Sequence, residues 1–132
     1  MQKNRILVVD DNINMCITLQ DILLDDGYDV LISDNGQEAL NLINKREPHL
    51  IITDMRMPNI DGLELLQIVK DRYPNIEIII MTALGEVDSY LKAMKIGAFE
   101  YITKPINPKI LKSIIAKILK WVREMKNFKG EK

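Results

Sequence analysis

The sequence predicts a doubly wound α/β domain, because short apolar runs alternate five times with amphipathic stretches of helix length. Runs at 6–9, 30–33, 50–53, 76–80 and 99–102 are rich in Val and Ile and nearly continuous. That is the composition of strands covered on both faces. Stretches near 12–26, 36–46, 62–72, 86–96 and 107–126 carry helical periodicity instead. Strands and helices in alternation, joined by short loops, imply right-handed crossovers and one parallel sheet.

Each element has its own grounds. Met1–Arg5 leads straight into the first run, without signal-peptide or transit-peptide grammar. In the helix that follows, Met15, Leu19, Ile22 and Leu23 fall on one stripe, Asn12 is a candidate cap, and Gly27 stands where the helix must stop. Asn35 followed by Glu38 reads as an N-cap with its capping-box partner for the second helix. Pro48 and Pro74 close the connections into the third and fourth strands, and Gly97 ends the fourth helix. In the last helix Leu111, Ile114, Ile115, Ile118, Val122 and Met125 keep helical spacing past the length such a core requires, with Trp121 and Phe128 adding apolar surface. The expectation is a domain over residues 1–120, with 121–132 as an overlong final helix and basic tail folding back on it. A dimerisation helix and a linker are the alternatives.

Composition bounds the function. A chain of 132 residues with 47% hydrophobic and 28% charged residues forms one soluble domain with a real core. The longest apolar runs, such as 78–81, fall far short of the ~20 residues that span a bilayer. A single cysteine, Cys16, excludes an internal disulfide and a zinc knuckle, so a reduced, cytoplasmic setting is expected. The net charge of −1 conceals an asymmetry: 9 Lys/Arg against 17 Asp/Glu in residues 1–103, but 9 against 2 in residues 104–132. The basic end is either a solvated helix face or a surface for an acidic partner. There is no P-loop motif and no basic recognition helix, so neither nucleic-acid binding nor a membrane partner is expected.

An open parallel sheet carries its functional groups at the carboxyl ends of its strands. The first run here ends in Asp10-Asp11, the third in Asp54, the fourth in Thr82-Ala83 and the fifth in Lys104-Pro105. Carboxylates brought together raise one another's pKa unless a cation neutralises them. A hard divalent ion does so through oxygen ligands, and Mg²⁺ needs only one or two carboxylates besides water and phosphate. Singly, each aspartate is explained as a helix N-cap, Thr82 as a turn residue and Lys104 as a surface lysine.

Together, VVDD (residues 8–11), Asp54 after LIIT, MPNIDG (57–62), MTA (81–83) and TKP (103–105) resemble the CheY-like response-regulator receiver domain, over roughly residues 4–120. The resemblance implies a flavodoxin-like fold of five helices around a five-stranded parallel sheet in the order 2-1-3-4-5. It implies that Asp54 is the phosphoacceptor, with Asp10, Asp11, Asp54 and the Arg56 carbonyl around Mg²⁺, for which Mn²⁺ substitutes. Lys104 would pair with Asp54 at rest and with phosphate afterwards. The Thr82 hydroxyl and the Arg56 and Ala83 amides would take the remaining phosphoryl oxygens. Thr82 and Tyr101 would form the switch, acting on the face of the fourth helix, fifth strand and fifth helix.

The implied role is a signalling switch, not an enzyme beyond its own phosphoryl transfer and autodephosphorylation. Its partners would be a sensor histidine kinase or phosphotransfer protein, a downstream protein or output domain, and a second copy paired on phosphorylation. Arg56 and Leu84 border the expected route of the attacking water, and their bulk predicts slow loss of phosphate. Two rivals fit less well. An aspartyl phosphohydrolase of the haloacid-dehalogenase type needs an acid where Arg56 stands, and a nucleotide or flavin module needs a phosphate loop where Asp10-Asp11-Asn12 would repel phosphate. His49 reads as an exposed loop residue, Cys16 as a helix residue near the core, and the seven methionines as packing.

Overall fold

Five strands, β1 (Arg5–Val9), β2 (Asp29–Ser33), β3 (Leu50–Asp54), β4 (Glu77–Thr82) and β5 (Glu100–Thr103), form one parallel sheet in the order β2-β1-β3-β4-β5. Between and after them run α1 (Ile13–Asp25), α2 (Gly36–Lys45), α3 (Gly62–Arg72), α4 (Val87–Ile96) and α5 (Pro108–Gly130). This computed structural model describes residues 3–83 and 87–130, apart from the side chains of 87 and 128–130. Leu84, residue 86 at the expected start of the fourth helix, the Phe128 side chain and residues 131–132 lie outside the described residues. Among the described residues no helix is long and apolar enough to cross a membrane.

The pleat sorts the core into two layers, since successive strand residues point to opposite faces. Ile6, Val8, Leu50, Ile52, Ile79 and Met81 meet α1 and α5 on one face. Leu7, Val9, Ile51, Ile78 and Ile80 meet α2, α3 and α4 on the other. None of these side chains is exposed to solvent, which explains runs without polar alternation. The ledger of burial favours this one register, because a slip of one residue would exchange the two layers.

Local chemistry sets the helix ends. The Asn12 side chain accepts from the amides of Asn14 and Met15 and caps α1. At its other end Gly27 adopts φ +86°, and the amides of Gly27 and Tyr28 bond back to the carbonyls of Leu24 and Leu23. That left-handed closure is the one glycine takes without a Cβ penalty. Asn35 caps α2 through the Glu38 amide at 2.8 Å, as expected. The reciprocal half of the capping box is not made there, because the Asn35 amide donates to Ser33 Oγ at 3.3 Å instead. The full box lies at α3, between Asp61 and Glu64.

Two further expectations are revised. The last strand sits one residue later than 99–102, because Thr103 pairs with Thr82 while Phe99 only begins the approach through its amide to the Ile78 carbonyl. His49 is half-buried, not an exposed loop residue: its backbone exchanges hydrogen bonds with Arg5 and Glu77, and Arg5 N–H donates to its Nδ1 at 2.9 Å. The helix α5 is continuous over 23 residues and crosses residue 120 without a break. Its first turns bury Leu111, Ile115 and Ile118, and Val122 packs against the margin of the same layer.

Candidate functional site

The carboxyl ends of β1, β3, β4 and β5 meet at one edge of the sheet. Asp10 follows β1, its amide held by the Ser33 carbonyl at 3.1 Å, and its side chain is almost wholly buried. Asp54 is the last residue of β3, paired in register with Met81, so Thr82 stands one position beyond it on the neighbouring strand. Lys104 follows β5 and donates its amide to the Thr82 carbonyl at 2.7 Å. The Lys104–Pro105 peptide is cis.

Lys104 Nζ lies 3.1 Å from Asp54 Oδ1 and 3.1 Å from Asp10 Oδ2, so one ammonium bridges two carboxylates. The other oxygen of Asp10 accepts the Asn12 amide at 2.9 Å. Asp11 is exposed beside them, and carboxylate oxygens of Asp10, Asp11 and Asp54 all lie within 4.8 Å of one another. Burial, and then the charge of Asp10, push the Asp54 carboxyl above the usual aspartate range, with Lys104 opposing. Burial alone would lower the Lys104 pKa, but its bonds to Asp10 and Asp54 outweigh that and raise it. The lysine is therefore charged at neutral pH.

Thr82 Oγ1 is buried and has no hydrogen-bond partner among the described residues. A buried hydroxyl left unpaired costs free energy, and such exceptions concentrate where a ligand completes the set. Arg56 and Ala83 are exposed in the loops after β3 and β4. Arg56, Asp11, Asp61 and Ser89 flank a cleft of about 390 Å³ that opens beside the carboxylates. Tyr101 is half-buried on β5 and meets Tyr90 of α4 edge to face, with ring centroids 5.3 Å apart.

The loop from β3 to α3 fixes how Asp54 is presented. Gly62 donates its amide to the Met55 carbonyl at 2.8 Å. A Cβ at Gly62 would collide with the Asp54 carbonyl oxygen and come within 2.8 Å of Met55 Cα. Only glycine allows this approach. Asn59 supplies the positive φ of 68° that the turn needs, as short amides tolerate.

Sequence reasoning did not find the Asp10–Lys104 bridge, the Asn12 amide on Asp10, or the contact that requires Gly62. The Asn12 amide had a local signal, since an aspartate two residues ahead of a helix cap commonly accepts backbone N–H bonds. Cys16 is buried as expected, its thiol directed at the carbonyls of Asp10 and Ser33. Burial and the nearby Asp10 charge push its pKa up to about 11, so it packs and does not react.

The response regulator receiver domain family matches residues 6–116. The chain belongs to that family. A receiver domain of two-component response regulators accounts for both the strand order and the acidic edge. Among curated proteins the receiver is 33% identical over 126 residues to the DNA-binding transcriptional regulator NtrC of Proteus hauseri, spanning 27% of that protein. It is 39% identical over 119 residues to the probable transcriptional regulator ycf27 of Porphyra purpurea, spanning 49% of it. It is 34% identical to sporulation initiation phosphotransferase F of Bacillus subtilis, covering 90% of this chain and 96% of that one. The chain thus spans half or less of two of these relatives and nearly all of the third. Among solved structures, a receiver domain protein from Clostridium thermocellum aligns with a TM-score of 0.88 at 31% identity, covering 92% of this chain and 98% of that one.

Proposed function

We propose that Asp54 is the phosphoacceptor of this receiver and that Asp10, Asp11 and Asp54 hold Mg²⁺, or Mn²⁺ in its place. The donor set fits: three carboxylates within 4.8 Å offer hard oxygen ligands to a hard cation. Bound there, the ion would neutralise charge on the transferring phosphoryl group. The Arg56 backbone carbonyl would be a further ligand.

In the reaction, an Asp54 carboxylate oxygen attacks phosphorus and forms the O–P bond as the P–N bond of a donor phosphohistidine breaks. The imidazole leaves with the bonding pair and takes a proton from solvent. Lys104 moves its second contact from Asp54 to a phosphoryl oxygen. The Thr82 hydroxyl and the Arg56 and Ala83 amides bond the others, and phosphate gives the Thr82 hydroxyl a partner that it lacks among the described residues. With Tyr101 following, the face of α4, β5 and α5 changes and alters partner affinity. Exposed Tyr90, Leu91 and Met94 of α4 supply apolar surface for a downstream protein, an output domain or a second copy of the chain. The donor is a sensor histidine kinase or phosphotransfer protein in the cytoplasm, and hydrolysis of the phosphate by the domain itself resets the switch.

The observation that carries this reading is a single lysine bridging two buried aspartates beside a buried threonine hydroxyl that has no partner among the described residues. Incubation with acetyl phosphate, with and without Mg²⁺, tests it by intact mass. Wild type gains one phosphoryl group only with Mg²⁺, and Asp54→Asn gains none. Equal labelling of Asp54→Asn would place the acceptor elsewhere.

A further inference from the structure

At the edge opposite the acidic site, α5 passes beneath the loops that lead into β3 and β4. A cavity of about 570 Å³ lies there, lined by Pro48, His49 and Ile76 on one side and by Trp121, Val122 and Met125 on the other. Lys126 also lines it. None of these residues belongs to the phosphoacceptor site.

His49 stands just ahead of β3 and is bonded to β1 in an unusual way. Its Nδ1, and not a backbone carbonyl, accepts the Arg5 N–H at 2.9 Å. A ring nitrogen accepts only while it carries no proton, so this bond selects the neutral tautomer with hydrogen on Nε2.

We propose that His49 is a proton-operated latch, which holds the last turns of α5 against this edge when neutral and releases them when protonated. A proton from solvent adds to the Nδ1 lone pair, the Arg5 N–H loses its acceptor, and a new positive charge appears in the cavity wall. The groups around it decide where the strain goes. Arg5 on β1 is already tied to Asp29 at 2.9 Å and to the Glu47 carbonyl at 3.3 Å, and Arg46 shares the same Asp29 at 3.2 Å. Glu77 on β4 is paired with Lys70 of α3 at 3.2 Å. Glu47, in the loop beside His49, is exposed and favours the cation only weakly. Lys126 on α5 is exposed and repels it. Arg5 and Lys70 are anchored, so the mobile response falls to the end of α5.

Burial, followed by the charges of Arg5 and Lys126, holds the His49 pKa below the ordinary histidine value. The imidazole is therefore neutral at pH 7, and release sets in on the acid side of the usual histidine range. When α5 departs and the ring is hydrated, the pKa rises. Each unit of that rise shifts the opening equilibrium about tenfold at pH values below both.

Amide hydrogen exchange over residues 121–126 of the full chain tests the latch, comparing wild type with His49→Asn at the same pH. Asparagine Oδ1 can accept the Arg5 amide as Nδ1 does, but it does not titrate. The two proteins should exchange alike near pH 7.5. Near pH 5.5 wild type should exchange faster than His49→Asn, and the ratio should grow as the pH is lowered. It approaches about tenfold per unit of the pKa rise only below both pKa values. Equal exchange at both pH values overturns the proposal. Lys126→Ala gives an independent check should His49→Asn fold poorly: the His49 midpoint, followed by ring NMR, should rise, and an unchanged midpoint also overturns it.

Discussion

Replacing Gly62 by alanine should damage the presentation of Asp54 more than it damages the fold as a whole. The added methyl group would meet the Asp54 carbonyl oxygen, Met55 Cα at 2.8 Å and the Asp54 carbonyl carbon at 3.2 Å. All three are backbone atoms, so no rotamer change relieves the contact. The first turn of α3 must move off β3, which strains the Gly62–Met55 hydrogen bond of 2.8 Å. Overpacking of this kind costs about 1–3 kcal/mol, and the gain in helix propensity returns at most about 1 kcal/mol. Gly27→Ala is the matched control. Nothing lies within 4 Å of its Cβ, but φ is +86°, so the cost is about 1–2 kcal/mol of backbone strain far from the acidic edge. Thermal unfolding by circular dichroism and phosphoryl uptake from acetyl phosphate should therefore separate. Both variants lose stability, but only Gly62→Ala takes up phosphate more slowly. A Gly62→Ala protein that melts and labels like wild type refutes the reasoning.

Two other outcomes follow from the same edge. Thr82→Val keeps the shape and removes a buried hydroxyl without a partner among the described residues, so the unphosphorylated protein should gain about 1 kcal/mol, read as a higher Tm; a lower Tm would show the hydroxyl to be satisfied at rest. Asp54 has its folded-state pKa raised by burial and by Asp10, so its ionisation opposes folding above that pKa, and the penalty fades as pH falls toward the unfolded value. Asp54→Asn should therefore be more stable than wild type at pH 7 in metal-free buffer, with the advantage shrinking as denaturant melts are repeated toward pH 4. A difference independent of pH counts against that account.

The sheet was legible because its signal is local and repeated. Runs such as 6–9 and 50–53 must be buried on both faces, and nothing but a covered parallel sheet accommodates five of them between helices. The acidic site was legible because strand ends are where such a sheet gathers its side chains. That brings Asp10, Asp11, Asp54, Thr82 and Lys104 to one edge provided the first, third, fourth and fifth strands are neighbours, as they are. What the sequence hid were pairings between distant residues. Lys104 reaches Asp10 across 94 positions, and a choice between one aspartate partner and two depends on ångström-scale placement of the strand ends. His49 looked exposed because the groups that hold it, the Arg5 amide and carbonyl and the Glu77 amide, are not sequence neighbours. The Asn35 box failed for a similar reason at short range, since Ser33 competes for the same amide.

The unbroken course of α5 has a mechanical consequence. It starts four residues after Lys104, and its 23 residues make a rod about 35 Å long. A tilt of about 3° at the end nearest Lys104 would carry the far end by nearly 2 Å. Any tilt at the end of α5 nearest the acidic edge is therefore magnified along the helix toward its far turns.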